Sequence, residues 1–101
     1  MDTVPTRADV DALWRSLIAG RVTREEVHER VAPWVEGRWR EVRDIAVESG
    51  LQSLHGFDLT WDEGAPGVVR HGPGDFYFHS DEEVVDSFRR WQDFCRHRDG
   101  F

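Results

Sequence analysis

"GPGDFYFHSDEEVVDSFRRW", residues 72–91, changes character twice within one short stretch. Gly72, Pro73, Gly74 and Asp75 are turn residues, Phe76 to Phe78 are β-prone, and Ser80 begins a helix signal. Ser80 is placed to cap the helix, with Glu83 closing a capping box three residues later. Asp81 and Glu82 fall in the first turn, where the helix dipole favours negative charge. Val84, Val85, Phe88, Trp91, Phe94 and Cys95 then share one face, while Arg89, Arg90, Arg96 and Arg98 enrich the second half. The stretch therefore predicts a helix over 81–97 preceded by a short β element.

On its N-terminal side, "VVRH" and "FYFH" flank the turn residues, which predicts a small hairpin within 67–79. Strand alternation turns Phe76 and Phe78 towards the helices and Tyr77 towards solvent. An isolated two-stranded hairpin is marginal, so this one must lean on helices. Three earlier segments supply them. Thr6 and Asp9 open a helix at 7–19 whose face is Val10, Leu13, Trp14, Leu17 and Ile18, closed by Gly20 in a left-handed conformation. Thr23 and Glu26 open a second over 24–38, with Val27, Val31, Trp34 and Val35 inward and a kink near Pro33. Asp44 caps a third over 44–56 carrying Ile45, Val47, Leu51 and Leu54, which Gly50 weakens by about 1 kcal/mol relative to alanine. The fold class is mostly α, a single-domain bundle of about four helices with a small β-hairpin before the last one.

At 101 residues, the length fits one domain, and a content of five tryptophans and six phenylalanines is that of a chain that packs a core. No apolar run approaches the ~20 residues that span a bilayer, and Cys95, the single cysteine, cannot pair internally. A cytoplasmic chain with no membrane role is the expectation. All 13 basic residues are arginine, a bias that GC-rich coding produces.

Net charge is −7, but it is concentrated. Residues 58–86 hold Asp58, Asp62, Glu63, Asp75, Asp81, Glu82, Glu83 and Asp86 against Arg70 alone. Such a field repels phosphate backbones and argues against direct nucleic-acid binding. The chain also lacks the spacings that carry common chemistries. There is no HExxH or CxxC, no G-x-S-x-G, and no phosphate-binding glycine loop followed by lysine. His71 and His79 can face one another across the hairpin near Asp75 or Asp81, but without close ligand spacing the expectation is no metal, no cofactor and no catalytic residue.

What remains is recognition. Trp61 lies in an acidic segment with no apolar face to join, and Tyr77 is expected on the outer side of the hairpin. Exposed aromatics among carboxylates match the composition of protein-binding hot spots. The candidate partner-binding set is Asp58, Trp61, Asp62, Glu63, Asp75, Tyr77, Asp81, Glu82 and Asp86, directed at a basic protein partner. The alternative is a homo-oligomeric interaction domain, a homodimer formed through the aromatic hairpin.

"LIAGRVTREEVHERV" as a helix–turn–helix beginning and "FYFHSDEEVVDSFRRW" as an acidic lead into the final helix together resemble the layout of bacterial toxin-immunity proteins, notably the colicin immunity families. The layout is equally similar to that of small proteins of GC-rich bacteria. The first resemblance implies an inhibitor that covers a basic, nuclease-like protein without catalytic residues of its own.

Overall fold

Each of the four α-helices among the described residues starts where a side-chain oxygen takes up an otherwise unpaired backbone N–H. In the computed structural model, which describes residues 3–61, 64, 67–71 and 76–99, four α-helices are seen among the described residues. Helix α1 (Arg7–Ile18) has the complete capping box between Thr6 and Asp9, and α2 (Arg24–Ala32) has the equivalent between Thr23 and Glu26. Helix α3 (Ile45–His55) is capped by Asp44, whose carboxylate accepts from Ala46 N–H at 2.9 Å and from Arg7 Nε at 2.7 Å. The Arg7 bridge, with the Ala46 amide, holds the Asp44 carboxyl below the usual carboxylate range. Helix α4 (Asp81–Asp99) begins with Glu83 N–H donating to Ser80 Oγ at 3.1 Å. Gly20, at φ +75°, ends α1 with the paired bonds Gly20 N–H to Leu17 O and Arg21 N–H to Ser16 O.

Pro33 does more than kink the second helix. It has no N–H to give the preceding turn, and α2 ends at Ala32. The chain then widens into one π-helical turn, Pro33–Gly37, closed by Arg38 N–H to Pro33 O at 2.6 Å. A short 3₁₀ turn, Trp39–Glu41, leads on to α3.

After α3, a 3₁₀ turn (Gly56–Asp58) feeds strand β1 (Leu59–Trp61), which pairs antiparallel with β2 (Val69–His71). The hairpin before the last helix is therefore present, but its pairing differs from the expected one. β1, which carried no strand signal strong enough to read, is the middle element. Leu59 pairs with His71 and Trp61 with Val69 on one side, while residues 76–78 hydrogen-bond to β1 on the other. The expected turn residues 72–75 lie outside the described residues.

This register changes the aromatic assignment for Phe76 and Phe78, which were expected to face the helices. Tyr77 stands opposite Thr60, which is buried, so the two share the helix-facing side. Phe76 and Phe78 consequently take the opposite side, Phe76 at 73% exposure, while Phe78 at 41% and Tyr77 at 42% are exposed alike. A slip of one residue in strand phase exchanges the faces, and the sequence around 76–78 contains apolar residues in both phases.

Helix α3 packs against α1, α2 and α4. Its side chains Val47, Leu51 and Leu54 meet Val10, Leu13 and Trp14 from α1, Val27 and Val31 from α2, and Val84, Phe88 and Trp91 from α4. Trp14 is edge-on to Phe57 at 5.6 Å and tilted against Trp91 at 5.7 Å. Both indoles are satisfied: Trp14 Nε1 donates to Val84 O and Trp91 Nε1 to Ala46 O. Gly50 is the contact point of these helices, because a Cβ there would lie 2.6 Å from Val10 Cγ1 and 2.8 Å from Trp91 Nε1. The faces are narrower than their apolar stripes. Ile18, Ile45 and Phe94 are exposed, and Cys95 is half-buried against the core rather than within it. No described helix is long and apolar enough to cross a membrane.

Candidate functional site

The acidic–aromatic segment divides into a surface part and a structural part. Trp61 is on the surface, 42% exposed, with its ring edge-on to Phe78 at 5.1 Å. Asp81, Glu82 and Asp86 are exposed on the first two turns of α4. Asp62, Glu63 and Asp75 lie outside the described residues. Asp58 departs from expectation: at 2% exposure it is inside the protein and makes no contact surface. Its carboxylate faces His71 Nδ1 at 2.5 Å and His28 Nδ1 at 3.3 Å, so a charge read as solvated is instead partnered internally.

Tyr77 is also tied to the body of the protein. Its O–H donates to the Glu25 carboxylate at 2.6 Å, and its ring lies under the Arg24 guanidinium at 4.2 Å. Burial, reinforced by the adjacent Glu25 carboxylate, pushes its phenol up to about 12. Arg24 is itself buried and acts as a staple. It donates to Phe57 O at 3.2 Å, His79 O at 2.6 Å and Asp81 Oδ1 at 2.8 Å. One guanidinium thus joins the start of α2, the turn after α3, the 76–79 segment and the start of α4.

The second feature is a histidine cluster that pairs different residues from those the hairpin reading suggested. His79 is not part of it. Its Nδ1 contacts the Glu83 carboxylate at 3.0 Å and holds that carboxyl below the usual range, while its ring stands against Phe57 and Phe78. Instead, His28 of α2, His55 at the end of α3 and His71 at the end of β2 converge. Their ring centroids are 4.4, 4.5 and 4.8 Å apart, and one nitrogen from each ring lies within 4.8 Å of the other two.

Two carboxylates border the rings. Asp58 sits beneath His28 and His71. Glu36, carried on the π-helical turn, reaches His55 Nε2 at 2.7 Å and His28 Nε2 at 3.8 Å. The hydrogen bond from His55 holds the Glu36 carboxyl below its ordinary value, with the charges of His55, His28 and His71 acting in the same direction. His28 Nδ1 also faces the His55 backbone carbonyl at 3.0 Å. Imidazoles and carboxylates are donor types that first-row divalent metals take.

Sequence reasoning missed His28, His55, Glu36 and Arg24 as site residues, and it assigned Asp58 the wrong role. His55 and Asp58 are three apart across a helix end, a short-range cue. His28 and Glu36 are brought in by α2 and the π-helical turn, and no linear spacing marks that. Neither a family model, nor a curated protein, nor a solved structure matches this chain.

Proposed function

We propose that the chain is a non-enzymatic interaction module that docks a basic protein through the outer face of residues 59–61 and 76–78 and the first turns of α4. In the manner of the immunity proteins whose layout it resembles, it is an inhibitor that covers the cationic surface of a nuclease-like partner. The observation that supports this reading best is a continuous strip of exposed aromatics leading into exposed acids. Phe76, Phe78 and Trp61 share the outer face of the strands, and three residues after Phe78 the chain enters a first turn holding Asp81, Glu82 and Glu83. Aromatic rings anchor by desolvation, and the carboxylates raise the encounter rate with a positive surface.

Asp58, buried and partnered by His71, leaves the contact set, Tyr77, bonded to Glu25 but still 42% exposed, flanks the strip, and Phe76 and Phe78 join it. Self-association through the same strip is the weaker reading, because it brings two acidic first turns together, and like charges across an interface are repulsive.

The test uses the basic protein retained by the immobilised chain at low salt, purified and followed by association kinetics. Combining Glu82→Gln with Asp86→Asn, neither of which has an internal ion partner among the described residues, is expected to slow association about tenfold at low salt and flatten its salt dependence. Phe76→Ser is expected to speed dissociation by about tenfold or more with little change in association. Salt-independent association of the wild type, or unchanged dissociation of the Phe76 variant, sinks the proposal. Light scattering that shows a tight homodimer lost in the Phe76 variant transfers the patch to self-association.

A further inference from the structure

We infer that His28, His55 and His71 form a binding site for one first-row divalent transition-metal ion, of which Zn²⁺ is the type. This inference is independent of the docking surface and uses none of its residues.

Three observations carry it. The first is convergence. One nitrogen from each of three rings lies within 4.8 Å of the others, although the residues come from α2, α3 and β2 and are up to 43 positions apart, His28 to His71. A tetrahedral ion with Zn–N bonds of about 2.0–2.1 Å spaces its nitrogens about 3.4 Å apart, a contraction that ring rotations supply. His71, half-exposed at the strand end, has the room to make that movement and gives the ion a route from solvent.

The second observation is the outer layer. Metal-binding histidines usually donate their other ring N–H to a carboxylate or a backbone carbonyl, which fixes the tautomer and the ring plane. All three rings have such a partner here. His71 Nδ1 faces Asp58, His28 Nδ1 faces the His55 carbonyl and Asp58, and His55 Nε2 faces Glu36. A proton held on the oxygen-facing nitrogen of a neutral ring would leave the lone pair of its other nitrogen for the ion, and at His28 that other nitrogen also has the Glu36 carboxylate 3.8 Å away.

The third is the burial of Asp58. A carboxylate at 2% exposure is costly unless its charge is answered, and the groups that answer it are two of the proposed ligands. A dication held by His28 and His71 meets that requirement more completely than neutral imidazoles do. Asp58 and Glu36 are positioning residues in this arrangement: they orient the rings. His79, His97 and Cys95 are outside it, His97 being turned to the Asp93 carbonyl on α4 and Cys95 packed against the core.

The experiment titrates the full chain, without a histidine tag, with Zn²⁺ and separately with Co²⁺. One equivalent of Co²⁺ is expected to give the intense visible bands of a tetrahedral complex, and Zn²⁺ to displace it. His55→Ala and His71→Ala are each expected to abolish saturable binding, Asp58→Asn to weaken it about 10–100-fold, and His79→Ala and His97→Ala to leave it unchanged. Ring-nitrogen NMR of the wild type provides a reading that does not depend on any variant folding. The signals of His28, His55 and His71 shift together on Zn²⁺ addition, and those of His79 and His97 stay. Absence of saturable binding by the wild type at micromolar metal overturns the inference. So does a shift confined to His79 or His97, or Co²⁺ binding that survives both alanine variants.

Discussion

Trp14, Trp91 and Gly50 meet in a dry contact between α1, α3 and α4, whereas His28, His55, His71 and Asp58 meet in a polar one between α2, α3 and β2. Both use α3, and both bury groups that must find partners. In the first, the polar side-chain groups among the described residues are two indole N–H groups, each answered by one backbone carbonyl of a neighbouring helix. In the second, every member is polar and answers several others at once. The dry contact tolerates no added volume, and the polar contact tolerates no lost partner. The same helix therefore has two faces that fail for opposite reasons.

That contrast can be broken most forcefully at Gly50. Alanine there places a methyl group against Val10 and the Trp91 indole, so chemical denaturation is expected to show a loss of about 3 kcal/mol. A loss below 1 kcal/mol would show that the helices can separate and that the contact is not closely packed.

The polar contact is probed next with Asp58→Asn, which keeps the volume and removes the charge. A loss of about 1–3 kcal/mol in metal-free buffer is expected, because His71 and His28 lose a charged acceptor. A neutral or stabilising result would mean that the carboxylate is kept for something other than stability.

The smallest effect is at Tyr77, the single tyrosine. Its folded-state value, about 12, lies above the ordinary 10, so its neutral form contributes stability that is complete below pH 10 and is lost as pH rises towards 12. Tyrosinate absorbance should titrate near 12 in the wild type and move down in Glu25→Gln. A midpoint at 10 in the folded protein would show that the phenol is neither buried nor bonded to Glu25.

How much of this was legible follows the same division. Thr6, Thr23, Asp44 and Ser80 marked the four helix starts, and the apolar spacing placed Val10, Trp14, Val27, Leu51, Leu54, Phe88 and Trp91 inward, because capping and helical period are local properties. Strand phase was not legible. Phe76, Tyr77 and Phe78 are all apolar enough to face either way, and the deciding pairing with Thr60 lies seventeen residues earlier. Gly50 read as a weak point of α3 and proved to be its closest approach, since a propensity says nothing about the neighbouring helix. The histidine cluster was illegible for the same reason as Arg24: each polar residue looked like a solvated one until tertiary structure supplied its partners.

The indole of Trp14 hydrogen-bonds to Val84, seventy residues further along the chain, and Arg24 waits for His79 and Asp81. Read as an order of events, this means that a chain emerging from the ribosome carries its first two helices without their closing partners until the last helix is made.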